Sequence, residues 1–225
     1  MHSQLRRVSG ADNEKAACPL CRGNGVCNFF ADKRRDYLHC PVCGLVFVPH
    51  SQFLSREDEK KRYDLHRNSP ADAEYRRFLS RLLLPLEHRL APGSSGLDFG
   101  SGPAPTLSRM FEEAGHRVTL FDPYYENAPA ALDKQYDFIT ASEVAEHLRE
   151  PRKELDRLWA CLKHGGWLGI MTKFAAGRDE FPRWYYKDDP THICFFSRAT
   201  FAWLAHRWNA DLVIPESDVV LLNKR

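Results

Sequence analysis

The chain has 225 residues, 43% hydrophobic and 28% charged, which suits one full domain with a small appendage. Thirty-two basic residues stand against 30 acidic ones, a formal net charge of +2, so a dependence on phosphate contacts finds only weak support. No stretch approaches the ~20 apolar residues that cross a bilayer, and Arg6 and Arg7 precede no apolar run; neither a membrane span nor a secretory leader is expected, and the compartment is read as cytoplasmic.

Residues 1–16 are polar and expected to be disordered. Residues 17–50 hold two cysteine pairs, Cys18-Pro-Leu-Cys21 and Cys40-Pro-Val-Cys43-Gly44, spaced as two knuckles around one tetrahedral zinc ion. Two thiolates three positions apart can turn toward one metal, and Gly44 lets the backbone fold back beside the sulfur atoms. With four cysteine ligands the shell is closed, so the zinc is expected to be structural, replacing a hydrophobic core in a module too small to have one. Lys33, Arg34 and Arg35 form a basic tip if the ribbon also serves as a recognition surface. Of the other cysteines, Cys27 reads as a spare thiol, and Cys161 and Cys194 as buried small residues.

Residues 51–92 read as a helical connector or lid. Tyr75, Phe78, Leu79, Leu82, Leu83, Leu86 and Leu90 recur at helical spacing and predict a helix packed on a sheet. Ser69 and Pro70 are the candidate N-cap and first-turn proline, and Pro85 predicts a kink or break.

Residues 93–225 alternate strand-like and helix-like segments, the mark of an α/β domain. Strands are predicted at 96–99, 117–121, 136–141, 167–172, 212–214 and 219–222. Helices are predicted at 106–114, closed by Gly115, in a short segment at 143–148, from Pro151 to just before Gly165-Gly166, and from a Ser197 cap through Trp208.

The turn after the first of these strands reads Asp98-Phe99-Gly100-Ser101-Gly102-Pro103-Ala104-Pro105. Gly100 and Gly102 permit positive φ and a close ligand approach, and the helix beyond offers unpaired N–H groups. Asp122, at the end of the next strand, is placed to accept hydrogen bonds from both ribose hydroxyls of an adenosine. Nicotinamide enzymes share this logic, but the sixth position of their glycine pattern is Pro105 here, and no second substrate domain follows.

From about residue 70 onward the chain resembles a class I S-adenosylmethionine-dependent methyltransferase of the bacterial group that includes ubiquinone-biosynthesis-type methylases. The resemblance is carried by Leu97-Asp98-Phe99-Gly100-Ser101-Gly102, Asp122, Tyr136-Asp137-Phe138-Ile139, Glu143-Val144-Ala145-Glu146-His147-Leu148, Leu162-Lys163-His164-Gly165-Gly166-Trp167-Leu168, and His192 with Phe195-Phe196-Ser197. It implies a Rossmann-like sheet of seven strands with the last antiparallel and helices on both faces. It also implies S-adenosylmethionine contacts from Asp98, Gly100, Ser101, Gly102, Asp122 and Glu143. Two departures stand out. Ala104 replaces a third glycine, and only fourteen residues lead from Asp122 to Tyr136, which abbreviates the wall that usually holds the adenine.

The acceptor side is expected past the strand ends, in residues 143–147 and 183–192. His192 is the first candidate for a proton acceptor and His147 the second, because imidazole titrates near neutral pH; Tyr186 joins them from the aromatic loop. Tyr63, His66 and Asn68 precede the stripe helix and are expected to stay off the pocket. Three readings follow: a small-molecule methyltransferase, an RNA- or protein-modifying one that docks through its ribbon, and a non-catalytic binding protein that keeps the cofactor fold.

Overall fold

A computed structural model describes residues 17–65 and 69–225. The expected disorder of residues 1–16 and the positions of His66 and Asn68 lie outside the described residues. The first sheet begins with strands β1 (Cys27–Ala31), β2 (Asp36–His39) and β3 (Val46–Phe47), each antiparallel to the next. Helix α1 (Arg56–Tyr63) follows, capped by the Ser55 hydroxyl, which accepts from Asp58 N–H.

Helix α2 (Ala73–Glu87) starts from Asp72 rather than from Ser69 and Pro70. The Asp72 carboxylate accepts from the N–H groups of Glu74 and Tyr75, a charged acceptor at the positive end of the helix. Pro85 does not break α2: it lies in the last turn, and Leu79, Leu82, Leu83 and Leu86 are buried against the sheet and hold the helix through it.

The second sheet is built from β4 (Ser95–Phe99), β5 (Arg117–Phe121), β6 (Tyr136–Ser142), β7 (Leu162–Met171), β9 (Ala210–Glu216) and β10 (Val219–Lys224), with the two-residue strand β8 (Cys194–Phe195) between β7 and β9 in the chain. Helices α3 (Thr106–Glu113), α4 (Pro151–Ala160) and α5 (Arg198–Trp208) connect them. The order is β5-β4-β6-β7-β10-β9, with β4 to β7 parallel and β10 antiparallel to both its neighbours. Among the described residues the sheet therefore has six strands, not seven. The thirteen residues between Asp122 and Tyr136 cannot hold a helix and a strand, and a 3-10 turn at Pro129–Asp133 takes their place, burying Ala131 and Leu132.

Strand β7 begins five residues earlier than predicted and runs through Gly165-Gly166. Its extra length is pinned from β10, where Asn223 donates to the carbonyls of Gly165 and Gly166 and Lys224 donates to that of Leu162. At Gly169 a side chain would meet Leu82 and Leu86 at 2.9 and 3.1 Å, so its bare backbone is what lets α2 lie on β7. Ser197 caps α5 as expected, in a reciprocal pair with Thr200.

The cysteine module is not isolated. Strand β3 pairs with β8, so the last strand of the first sheet comes from far down the chain. Leu20, Tyr37, Leu38, Leu45, Val46 and Phe47 are buried in one continuous core with Phe181, Phe195 and Phe196. The expectation of a module without apolar packing is thus corrected: the module borrows the core of the larger domain. Among the described residues no helix is long and apolar enough to cross a membrane.

Candidate active site and metal centre

The glycine turn connects β4 to α3 with Gly100 at φ 77° and Gly102 at φ 64°, both in the left-handed region. A Cβ on Gly100 would stand 2.4 Å from Val144 Cγ2, whereas the space beside Gly102 is open. Gly100 N–H donates to Phe121 O at 2.7 Å, which ties the turn to the end of β5. Asp122 sits there, buried, and faces the turn: its Oδ2 accepts from Gly102 N–H at 3.0 Å and its Oδ1 from the N–H groups of Tyr124 and Tyr125 at 2.8 and 3.1 Å. Three donors fill most of the roughly four acceptor sites of a carboxylate, which leaves room for about one more. No side chain caps α3 beyond the turn.

Asp98 is placed differently from its neighbours. It is buried and accepts from Ser108 at 2.6 Å and Thr140 at 2.8 Å, linking β4, α3 and β6; burial holds its carboxyl above the usual range. Both oxygens are satisfied inside the protein, so Asp98 anchors the strand end that carries the turn. Ser101 Oγ, by contrast, is buried with no hydrogen-bond partner among the described residues, as is Glu143 Oε1.

Glu143 directly follows β6 with φ 54°, a strained value for a side-chain-bearing residue. Burial, and then the nearby Glu146, push its carboxyl up to about 9. The Tyr186 hydroxyl lies between these two acids, 3.4 Å from Glu143 Oε2 and in a short hydrogen bond to Glu146 Oε1, with Thr172 Oγ1 also at 3.4 Å. Burial first, and then Glu146, raise the phenol well above its ordinary range.

The two candidate histidines come together, with ring centroids 4.8 Å apart. His147 Nδ1 meets Thr191 O at 3.0 Å and His192 Nδ1 meets Tyr186 O at 2.6 Å. A carbonyl only accepts, so both rings carry their proton on Nδ1 and keep the Nε2 lone pair. Burial, with His147 next in importance, lowers the basicity of His192. Glu146, wholly buried beside them, lies in the expected 143–147 stretch but is not singled out by the sequence as a site residue.

Tyr63 also reaches the site, against expectation: its ring packs edge-on to His147 at 5.2 Å. What brings it there is Glu59, a buried acid on α1 that accepts from Tyr63, Tyr124 and Arg149. Helix α1 therefore spans from the Asp122 side, through Tyr124 and Tyr125, to the histidine side. Helix α2 plays the packing role read for it.

The four cysteines converge. Cys18 Sγ is 3.6 Å from Cys43 Sγ, and Cys21 Sγ is 3.4 Å from Cys40 Sγ, near the ~3.8 Å edge of a tetrahedron with ~2.3 Å zinc–sulfur bonds. Gly44 has φ 72° and passes within a side chain's reach of Ser197 and Ala199. Cys27 is exposed and Cys161 and Cys194 are buried, as read. The basic tip is corrected: Arg35 is 8% exposed and points inward, donating to the carbonyls of Lys187, Asp189, Pro190 and His192. A guanidinium has five donors in a fixed fork, and the 187–192 loop offers it four carbonyls.

A family model described as a methyltransferase domain matches residues 70–214, which is more than half the chain. Among solved structures, the magnesium protoporphyrin IX methyltransferase from Synechocystis, with S-adenosylhomocysteine bound, superposes with a TM-score of 0.54 at 13% identity, over 75% of this chain and 94% of that one. The Burkholderia thailandensis 1,6-didemethyltoxoflavin-N1-methyltransferase gives 0.48 at 16% identity, over 88% and 98%. An O-methyltransferase family protein from the same organism gives 0.49 at 13% identity, over 74% and 62%. No curated protein sequence matches. The six-strand order with an antiparallel β10, the glycine turn under Asp122 and the family match agree, and the chain belongs to the methyltransferase-domain family as a class I, S-adenosylmethionine-dependent methyltransferase.

Proposed function

We propose that the protein methylates a small-molecule acceptor, with the donor seated between the glycine turn, Asp122 and Glu143. The observation that carries this reading is Asp122, held against the turn by Gly102 N–H with acceptor capacity for about one further donor. That capacity suits one ribose hydroxyl rather than the two read from spacing. Ser101 Oγ and Glu143 Oε1 are buried polar atoms short of partners, as expected of groups that complete their hydrogen bonds with a ligand. Gly102, with open space beside it, lets the backbone approach the methionine tail, and Gly100 lets the turn pack against Val144. Asp98 anchors the turn from below, and an ammonium beside Glu143 would relieve the burial that keeps it protonated.

When bound, S-adenosylmethionine supplies a methyl group already activated on a sulfonium sulfur. The chain must align the acceptor and strengthen its nucleophile. His192 and His147 each keep an Nε2 lone pair for that purpose, and Tyr186 is positioned to orient the acceptor. The inward turn of Arg35 removes one charge from the ribbon surface and favours a small acceptor over a docked nucleic acid. We assign a structural zinc to Cys18, Cys21, Cys40 and Cys43, where a closed thiolate shell supplies cross-linking and no reactive position.

Calorimetric titration with S-adenosylhomocysteine tests the donor site. Saturable binding that Asp122→Ala weakens is expected, and no binding by the wild type would overturn the reading. A tritiated-methyl assay on fractionated extract, with small molecules and RNA kept apart, tests the acceptor class; label confined to RNA or protein would overturn it.

A further inference from the structure

Beside the donor site, three side chains form a group with no part in holding a nucleoside. We propose that Glu146, His147 and His192 bind one divalent transition-metal cation, separate from the four-cysteine cluster. Each offers a ligand atom, and these atoms lie within 4.8 Å of one another. A cation drawing them in needs only small side-chain movements to reach bond distances of about 2.0–2.2 Å.

The contacts that orient the two imidazoles are already built. His147 and His192 each donate Nδ1–H to a backbone carbonyl, of Thr191 and of Tyr186, which sets the tautomer and orients the ring as in metal-bound histidines. The third ligand is held in register by the backbone: Ile193 N–H donates to Glu146 O at 2.8 Å, clamping the Glu146-His147 segment beside His192.

Glu146 supplies the independent observation. Its side chain is 1% exposed, and Oε2 is buried with no hydrogen-bond partner among the described residues. Oε1 takes the Tyr186 hydroxyl and lies 4.0 Å from His147 Nε2. No arginine or lysine ion-pairs with it among the described residues, and a buried carboxylate oxygen without a partner is costly unless a cation completes it. The set of two imidazoles and one carboxylate suits Mn2+, Fe2+, Co2+ or Zn2+ rather than Mg2+ or Ca2+, and three protein ligands leave positions open.

The cation site stands on this geometry alone. Its consequence for the acceptor rests on the proposed function: an open position on the acceptor side selects a molecule that presents a hydroxyl oxygen, and the histidine lone pairs then act through the ion rather than directly.

The test uses the full chain purified with its cysteine-bound metal in place and dialysed without chelator. Mn2+ is titrated in, and free ion is counted by electron paramagnetic resonance. One Mn2+ bound per chain is expected, weakened about tenfold or more by His192→Ala and by Glu146→Gln, and unchanged by Cys27→Ser at the exposed thiol. If Glu146→Gln fails to fold, His147→Asn replaces it. No Mn2+ uptake by the wild type, or uptake that the ligand variants leave unchanged, overturns the proposal. S-adenosylhomocysteine binding without Mn2+ uptake sinks the cation site and spares the methyltransferase reading; the reverse result does the opposite.

Discussion

One oxygen of Glu59, Oε2, receives both Nε and Nη2 of Arg149, at 3.1 and 2.8 Å. The pair joins α1 to the segment that follows the histidine turn, and Arg149 also donates to Leu54 O. Because Tyr63 and Tyr124 donate to the same carboxylate, one acid keeps α1 seated across the site.

Glu59→Ala should therefore unseat α1. Losing hydrogen bonds to a buried charge costs about 1.5–3 kcal/mol. Trypsin should cut at Lys60, Lys61 or Arg62 faster than in the wild type, with the rest of the domain intact. Unchanged cleavage would mean that α1 is held by something other than Glu59.

The two glycines of the turn should respond differently. Gly100→Ala forces a Cβ to within 2.4 Å of Val144 and strains a left-handed backbone, so S-adenosylhomocysteine affinity should fall at least about tenfold, with a lower melting temperature. At Gly102 the space is open and only the φ of 64° resists, about 1–2 kcal/mol, so Gly102→Ala should fold nearly normally. Equal melting temperatures for the two variants would contradict this geometry.

Glu143 makes stability depend on pH. Its folded pKa of about 9 lies above the ordinary glutamate value of 4.5, so the folded state binds more protons between those values than the unfolded state. The contribution is fully present below about 4.5 and is lost as pH rises toward 9. Glu143→Gln should flatten this part of the profile and melt higher than the wild type at pH 8. Melting curves from pH 5 to 9, without added divalent cation, measure it; parallel profiles would refute it.

Much of this was readable in the residues themselves. The glycine turn, Asp122, the Ser197 cap and the cysteine pairs are local signals whose chemistry travels with their spacing, and the short gap before Tyr136 foretold an abbreviated wall. Arg35, Glu59 and Glu146 were not readable. Their roles depend on partners far away in sequence: Arg35 on the carbonyls of residues 187–192, Glu59 on Arg149, Glu146 on the backbone at Ile193. Charged residues also look like surface unless something shows what they bury against. Of the kink or break expected at Pro85, the break does not occur, since the packing of Leu82 and Leu86 on the sheet outweighs the local preference.

Arg35→Ala strips four carbonyls of the acceptor-side loop of their donor. A loss of about 2–4 kcal/mol is expected, which for a chain of this size lowers the melting temperature by roughly 5–15 °C. Methyl transfer to the acceptor should fall more than S-adenosylhomocysteine affinity, because none of the four carbonyls belongs to a residue proposed to hold the donor. Arg35→Lys should not rescue, having no planar fork. Cys18→Ser should release the metal, measured by elemental analysis, and mimic Arg35→Ala in the assay. Normal turnover after metal loss would separate the ribbon from the loop.

The pairing of Val46 with Phe195 has a consequence for how the protein is made. The cysteine fingers are synthesised well before the strand that shields their hydrogen-bonding border. Until then that border is an open edge, able to recruit a stray strand from another nascent chain. Early capture of the zinc proposed for these cysteines would keep the fingers compact during this wait, and the ion would then serve biogenesis as well as the finished molecule.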